Sequence, residues 1–482
     1  MHLGELFPQY FESDEKISSV EIDSRLIKPG SIFFALKGLA SNGENFIDSA
    51  FEKGAIAVFC SLDCQKHDPR IIKVKNVHGE LIEALKKFYN DLPANIFAIT
   101  GTNGKTSIAY FIQQIQEILG KKSASIGTLG IKASDYKIQE KLTPFVLTTP
   151  DIVSFYKNLA VLKENKVNDV VIEASSIGLD QKRAGGLRIK LGAFSNFTQD
   201  HLDYHGSMKK YFDCKMILFK EILQKGDFAI LNADISEFEQ MREIATKRNL
   251  QVFSYSTQKS KISSAAMTNL EIRVFDKEYP FKIAMSGDFQ KDNLLCALLS
   301  VVCYYQLEHG QIKFLIQNLH KVNPAEGRMQ KVAELRNGAQ IFIDYAHTPD
   351  ALKNVLETAR HIPHNKIHVL FGCGGDRDKT KRPQMGKIAS DLADFVIVSD
   401  DNARYEDGQK IRNEVLSACD LTKTIQIGGR RKAIISAISG LKEFDILILA
   451  GKGHEKYQVV GGDKFDFDEE KIVSEAIMEL HL

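Results

Sequence analysis

The stretch Thr100-Gly101-Thr102-Asn103-Gly104-Lys105-Thr106-Ser107 brings together the residue types that cradle a phosphate. Gly101 and Gly104 allow a tight turn whose N–H groups point inward, Lys105 adds a cation, and a helix starting here adds its dipole. The hydroxyl of Thr106 is placed to reach Mg²⁺. The general phosphate-loop pattern asks for a glycine five residues before Gly104, and Ile99 stands there. The flanking elements still argue for a cradle over an ordinary glycine turn. Ile96 to Ile99 is an apolar strand, and Ile108, Phe111, Ile112 and Ile115 repeat with a helical period.

Other clusters are weaker one by one. Glu173 ends the apolar strand Val167–Ile172, where an open parallel sheet gathers its ligands, although a lone strand-end carboxylate also reads as solvated. Asp200-His201-Leu202-Asp203-Tyr204-His205 holds two histidines and two acids, or is a polar loop with capping acids. Lys215 lies in an expected helix, Tyr211–Phe219, and spacing alone reads it as a surface charge. Further on, Asp344-Tyr345-Ala346-His347, Gly372-Cys373-Gly374-Gly375-Asp376-Arg377, Asp401-Asn402-Ala403-Arg404 and Gly451-Lys452-Gly453-His454-Glu455 follow successive strands. Four polar, glycine-rich clusters at the same strand ends point to a site.

The elements that must hold these residues are those of an α/β protein. Val20–Arg25 alternates like a strand, Ser31–Leu36 and Ala55–Cys60 read as strands, and Glu80–Leu92 reads as an amphipathic helix before Pro93. Ser256–Thr268 reads as a surface loop. After Glu326-Gly327-Arg328, strands and helices alternate as in a second parallel sheet. A length of 482 residues suits about three domains. Lys plus Arg number 63 against 62 Asp plus Glu, so no global field favours nucleic acid or membrane. No signal-like or membrane-spanning run is expected, because acids interrupt the start and apolar runs are short. The seven scattered cysteines contain no CxxC pair, and reduced thiols in a cytoplasmic protein are expected.

Together these motifs resemble the Mur ligase family over essentially the whole chain. Thr100–Thr106 matches that family's own short phosphate loop, which accounts for Ile99. Asp200–Gly206, Glu326–Arg328, Asp344–Pro349 and Gly372–Asp378 match in the same order. Within the family the likeness is to the branch that attaches the third peptide residue of a peptidoglycan precursor. The resemblance implies an α/β fold of three domains: a small UDP-binding domain (1–92), a central P-loop ATPase domain with a mostly parallel sheet (93–325), and a Rossmann-like, amino-acid-binding C-terminal domain (326–482).

The resemblance also implies roles. Lys105, Glu173, His201 and Lys215 would be catalytic. Gly101, Thr102, Asn103, Gly104, Lys105, Thr106 and Ser107, with Asn293, Arg328, Asp344 and His347, would bind ATP. Thr106, Glu173, His201 and Lys215, the last as a CO₂-derived carbamate, would hold Mg²⁺. Ile22, Ser24, Leu39, Ala40, Ser41, Thr148, Thr149, Ser175, Gln181 and Arg183 would bind the UDP-N-acetylmuramoyl-dipeptide, and Ile177 departs from a usual histidine. Arg377, Asp401, Asn402, Ala403, Arg404, Gly451 and Glu455 would bind the incoming amino acid. Relatives that use meso-diaminopimelate carry Asp-Asn-Pro-Arg where this chain has Asp401-Asn402-Ala403-Arg404, and alanine is expected to loosen the loop while keeping the charge. The implied reaction is ATP-dependent amide formation through an acyl phosphate, by a cytoplasmic monomer without nucleic acid or membrane span. The rivals are a sister ligase using L-lysine, another diamino acid, a dipeptide or a polyglutamate chain, and a nucleotide-binding homologue without ligase activity.

Overall fold

A computed structural model describes residues 1–38, 41–258, 263–268, 271–281 and 288–482. Among the described residues the strands form three sheets and one hairpin. The first sheet pairs Ser19–Glu21, Ser31–Phe34, Ala55–Ser61 and Ile71–Val74 in parallel. The second sheet has ten strands. At its centre Asn95–Thr100 lies between Ile189–Phe194 and Asp169–Glu173, both parallel to it. Antiparallel strands close its edges, Gly130–Ala133 on one side and Glu271–Val274 with Lys277–Pro280 on the other. The third sheet runs Gln330–Glu334, Gln340–Asp344, Ile446–Ala450, Ile367–Phe371, Phe395–Val398, Thr424–Gln426, with its first strand antiparallel and the rest parallel.

Parallel strands covered on both faces must be apolar throughout. In Asn95–Thr100 every residue after Asn95 is accordingly buried. The helix Lys105–Ile118 turns Ile108, Phe111, Ile112 and Ile115, each fully buried, onto this sheet beside the helix Asp288–Tyr305. Each such burial is worth about 1.5–3 kcal/mol. One apolar core runs without interruption from Leu3 in the short helix Leu3–Leu6 and Phe34 in the first sheet to Ala98 and Phe194 in the second. Two further cores hold the third sheet, and their buried members begin at Leu335. Among the described residues, no apolar core contains members from both sides of Glu326–Arg328.

Several expectations are corrected in detail. The first strand stops at Glu21 and is buried on both faces, and Asp23 to Arg25 form a turn in which Asp23 Oδ1 accepts from the Arg25 N–H. The expected helix Glu80–Leu92 is Val77–Phe88, capped by Asn76. Within the expected loop Ser256–Thr268, Ala265–Met267 is a strand because Tyr255–Ser256 and Ile272–Val274 flank it with open backbone groups. Pairing with neighbours outweighs a weak local pattern. Among the described residues, no helix is long and apolar enough to cross a membrane. All seven cysteines are free, as expected.

Candidate active site

The phosphate loop joins the central strand Asn95–Thr100 to the helix Lys105–Ile118. Gly101 has φ +138°, and a Cβ there would lie 1.9 Å from Ser195 Oγ, so no larger residue fits. The neighbouring strand exit clamps the loop. Ser195 Oγ donates to the Asn103 carbonyl (2.5 Å), and the Asn103 and Thr102 N–H groups donate to Asn196 Oδ1 (2.8 Å) and the Asn196 carbonyl (2.9 Å). Lys105 Nζ donates to the carbonyls of Gly101 (3.0 Å) and Thr102 (2.7 Å). Burial lowers its pKa, against the pull of Glu173 and Asp200. Ser107 is buried in the first turn, and the Asn293 amide oxygen closes on Gly104.

Glu173 ends the adjacent strand and is buried. It accepts from Thr106 Oγ1 (3.0 Å), the Thr128 N–H (2.8 Å) and Thr128 Oγ1 (3.1 Å). Thr128 Oγ1 also meets Thr148 Oγ1 (3.2 Å), from which it can accept. Thr149 Oγ1 donates to the Glu173 carbonyl (2.7 Å) and meets Ser175 Oγ (3.0 Å). Arg183 donates to the Thr149 carbonyl (2.8 Å) and to Gln181 Oε1 (2.7 Å). Thr148, Thr149, Ser175, Gln181 and Arg183 therefore form one connected patch beside Glu173.

Opposite, His201 takes a left-handed φ of +53°, which brings its Nε2 to 3.3 Å from Asp200 Oδ2. Burial pushes the His201 ring down to about 4, with Lys215 and Lys105 adding to it and Asp200 opposing. Lys215, expected on spacing as a surface charge, is 1% exposed. Its Nζ donates to the Gly101 carbonyl (2.7 Å) and lies over the Tyr211 ring. Burial, then nearby Lys105, holds this amine well below the usual lysine range.

The third sheet meets this loop across a cleft through polar side chains. Arg328 donates to Thr106 Oγ1 (3.2 Å) while stacking on Tyr345. Asn103 donates to Asp350 (3.0 Å), Gln199 to Asp378 (2.9 Å) and Thr380 (2.8 Å), and His347 Nε2 lies 3.9 Å from Asp200. Asp344 accepts from the N–H groups of Met329 (2.6 Å) and Ala346 (2.7 Å), and burial pushes it up to about 6.

A second polar cluster is built from loops leaving the third sheet. Asn402 donates to Glu455 (3.0 Å), and fully buried Lys452 donates to both Asn402 and Glu455 (3.2 Å each). Asp401 lies against Gly451. Arg404 donates to the Gly375 carbonyl (2.7 Å), and Arg377, donating to the Asp376 carbonyl (3.3 Å), is near enough to repel it. The loop around Ala403 is held in place. Ala403 is buried, and Arg404 is pinned on both sides, its N–H to the Val459 carbonyl and its carbonyl to the Gly461 N–H.

Just past the first strand, Ser24 is buried and Ile22 half-buried, and the Ser24 carbonyl accepts from Lys53 Nζ (3.0 Å). Ser41 is exposed, and Leu39 and Ala40 lie outside the described residues. Lys157 of the helix Ile152–Glu164 pairs with buried Glu21 of the first sheet (2.7 Å).

This chain matches three successive family descriptions: "Mur ligase family, catalytic domain" over residues 16–94, "Mur ligase middle domain" over 99–301, and "Mur ligase, glutamate ligase domain" over 327–453. It belongs to the Mur ligase family. Relatives named UDP-N-acetylmuramoyl-L-alanyl-D-glutamate--2,6-diaminopimelate ligase are 38% identical in Rickettsia conorii, over 100% of this chain and 99% of the relative. The Rickettsia bellii relative of that name is 40% identical, over 97% of each. A solved structure of a ligase of the same name superposes with a TM-score of 0.66 at 28% identity, over 100% of this chain and 99% of the other. A MurF ligase from Thermotoga maritima in complex with ADP shares the fold, with a TM-score of 0.64 at 16% identity and 96% coverage of each chain.

For a Mur ligase, the donor chemistry beside the phosphate loop fits Mg²⁺. Thr106 and Glu173 offer buried oxygen atoms in contact, the donors this ion prefers. The neutral His201 ring offers nitrogen. The described trio of His, Cys, Asp or Glu donors close enough to share one ion lies elsewhere, at Glu44, Cys60 and Cys64. There Cys60 is pushed up to about 12 by burial and Cys64, which keeps it a thiol. Sequence reasoning did not single out Thr128 or Lys452. Thr128 follows the strand Ser123–Gly127 without any motif, whereas Lys452 stood inside a recognised glycine cluster.

The Mur ligase cleft also carries a titration signature. His454 sits against Tyr345, and its ring is pushed down to about 4 by burial, then by Arg328 and Lys132. The unfolded ring titrates near 6.5. Between those values the unfolded chain binds more protons, so this group's contribution to stability is present above about 6.5 and fades as pH falls toward 4. Replacing His454 with glutamine is expected to flatten the loss of melting temperature across that window; equal slopes in both proteins would refute it.

Proposed function

We propose that this Mur ligase joins meso-2,6-diaminopimelate to UDP-N-acetylmuramoyl-L-alanyl-D-glutamate with hydrolysis of ATP, in peptidoglycan synthesis. The observation that carries this reading is likeness along the whole chain, 38–40% identity to relatives of that name. The chain divides in this proposal at 92/93 and 325/326, the second division falling where the apolar cores part.

A carboxylate is a poor electrophile, and the peptide's terminal carboxylate must first take the γ-phosphoryl group of ATP. That step brings two anions together. Lys105, the N–H groups at the start of the helix and Arg328 would offset that repulsion, a reading supported by the contacts of Lys105 with the loop and of Arg328 with Thr106. Asn293, Asp344 and His347 complete the nucleotide side. Thr106, Glu173, His201 and carbamylated Lys215 would hold two Mg²⁺ ions, whose charge further neutralises the phosphates when bound. The incoming amine then attacks the acyl phosphate, and phosphate leaves from the tetrahedral adduct. Closure of the third sheet over the loop orients amine and acyl carbon, an effect worth up to about 7–11 kcal/mol, and keeps water from the acyl phosphate.

The diphosphate and sugar-peptide would lie on the Thr148–Arg183 patch, and uridine against Ile22, Ser24 and Leu39 to Ser41. Arg404 and Arg377 would grip the distal carboxylate of diaminopimelate, with Asp401, Asn402, Ala403, Gly451 and Glu455 around its amino end. An assay with Mg-ATP and the UDP-dipeptide, offering diaminopimelate and L-lysine in turn, should show product and phosphate release with diaminopimelate. Preference for lysine would defeat the assignment.

Carbamylation of Lys215 requires a neutral amine whose lone pair attacks CO₂ with release of a proton. Burial, then nearby Lys105, shifts Lys215 toward that neutral form. Protein equilibrated with ¹³C-bicarbonate is expected to show a carbamate carbon resonance that Lys215→Arg lacks. An identical spectrum from the two proteins would remove Lys215 from the ligand set.

A further inference from the structure

The pocket loops Asp401–Arg404 and Gly451–Glu455 leave the strands Phe395–Val398 and Ile446–Ala450. These strands are not neighbours, because Ile367–Phe371 runs between them. Backbone pairing therefore sets their separation only through a third strand. One buried side chain spans the gap directly. Arg430 opens the helix Arg430–Ser439 and is 1% exposed. Its Nη2 donates to the Ala450 carbonyl (2.8 Å) and its Nη1 to the Asp400 carbonyl (3.3 Å), the residues immediately before Gly451 and Asp401. Its Nε donates to Glu469 Oε1 (2.7 Å), at the start of the last helix. Asp400 answers through its side chain, whose Oδ2 accepts the Gly429 N–H (2.6 Å).

Beyond this brace the two loops touch. A Cβ on Gly451 would come within 2.7 Å of Asp401 Oδ2, and Asn402 meets Glu455. A shift of either strand end would separate the groups that face the amino acid.

We propose that the Arg430–Glu469 pair is a positioning device for the amino-acid pocket, which fixes the spacing of its two loops and thereby the selection of the incoming amino acid. This rests on the reading of that pocket given above. A planar guanidinium can address three acceptors at fixed angles, whereas an ammonium is a point charge on a flexible stem. The fork, more than the charge, is what the site requires.

Two variants separate positioning from stability. Arg430→Lys keeps the charge and removes the fork. Arg430→Met combined with Glu469→Leu removes both charges together, an exchange that buried ion pairs often tolerate without loss of stability. For each, KM is measured for the amino acid, ATP and the UDP-dipeptide, with kcat and melting temperature. The expected result is a KM for the amino acid raised about tenfold in both variants, with the other two constants within about twofold. Discrimination between diaminopimelate and lysine should narrow. An unchanged amino-acid KM in the folded double variant, or equal losses for all three substrates, overturns the proposal. If the wild-type enzyme prefers another amino acid, the substrate assignment falls, and the same measurement with that amino acid still decides the role of Arg430.

Discussion

Replacing Lys105 with alanine is expected to lower amide formation by about 10³-fold or more, because the first chemical step must bring a carboxylate to a phosphoryl anion and this is the cation held in the loop. The fold should survive. The Gly101 carbonyl that Lys105 engages also accepts from Lys215, so it keeps a partner. Removing one of two neighbouring buried amines also relieves repulsion between them. The check is single-turnover phosphate release beside a melting curve. Near-normal turnover in a folded variant would falsify the assignment.

The second large effect is expected at Arg404. Burial and Arg377 both disfavour its charge, so the two guanidiniums form a place that a carboxylate would relieve. Losing one partner of a buried, hydrogen-bonded charge pair costs about 2–5 kcal/mol, and half-buried Arg404 beside exposed Arg377 belongs at the low end of that range. The Arg404→Ala variant should therefore lose about 10²-fold in kcat/KM for diaminopimelate, while its weak use of lysine, which lacks the distal carboxylate, changes little. Measuring both substrates side by side gives the answer as a ratio. A ratio equal to that of the unaltered enzyme would mean that the distal carboxylate is held elsewhere.

The sequence made the phosphate loop legible because three signals coincide there: an apolar strand, glycines where φ must be positive, and a helix with a clear period. The polar clusters of the third sheet were legible for a similar reason, since parallel strands deliver their ends to one side. Lys215 was not. Its helix gives no sign that the amine is buried, and only the fold carries it beneath Gly101. Thr128 and Arg430 were missed for the same cause, because their partners lie 45, 39, 30 and 20 residues away. The strand Ala265–Met267 was read as loop because edge pairing is supplied by neighbours and not by its own residues.

The separation of the apolar cores at Glu326–Arg328 has a thermodynamic consequence. What spans the cleft is a set of side-chain hydrogen bonds, from Asn103, Gln199 and Arg328, and water can replace each at small net cost. Parting the two sides here would separate polar side chains and no shared apolar core of the described residues, so it would carry a smaller heat-capacity change than unfolding.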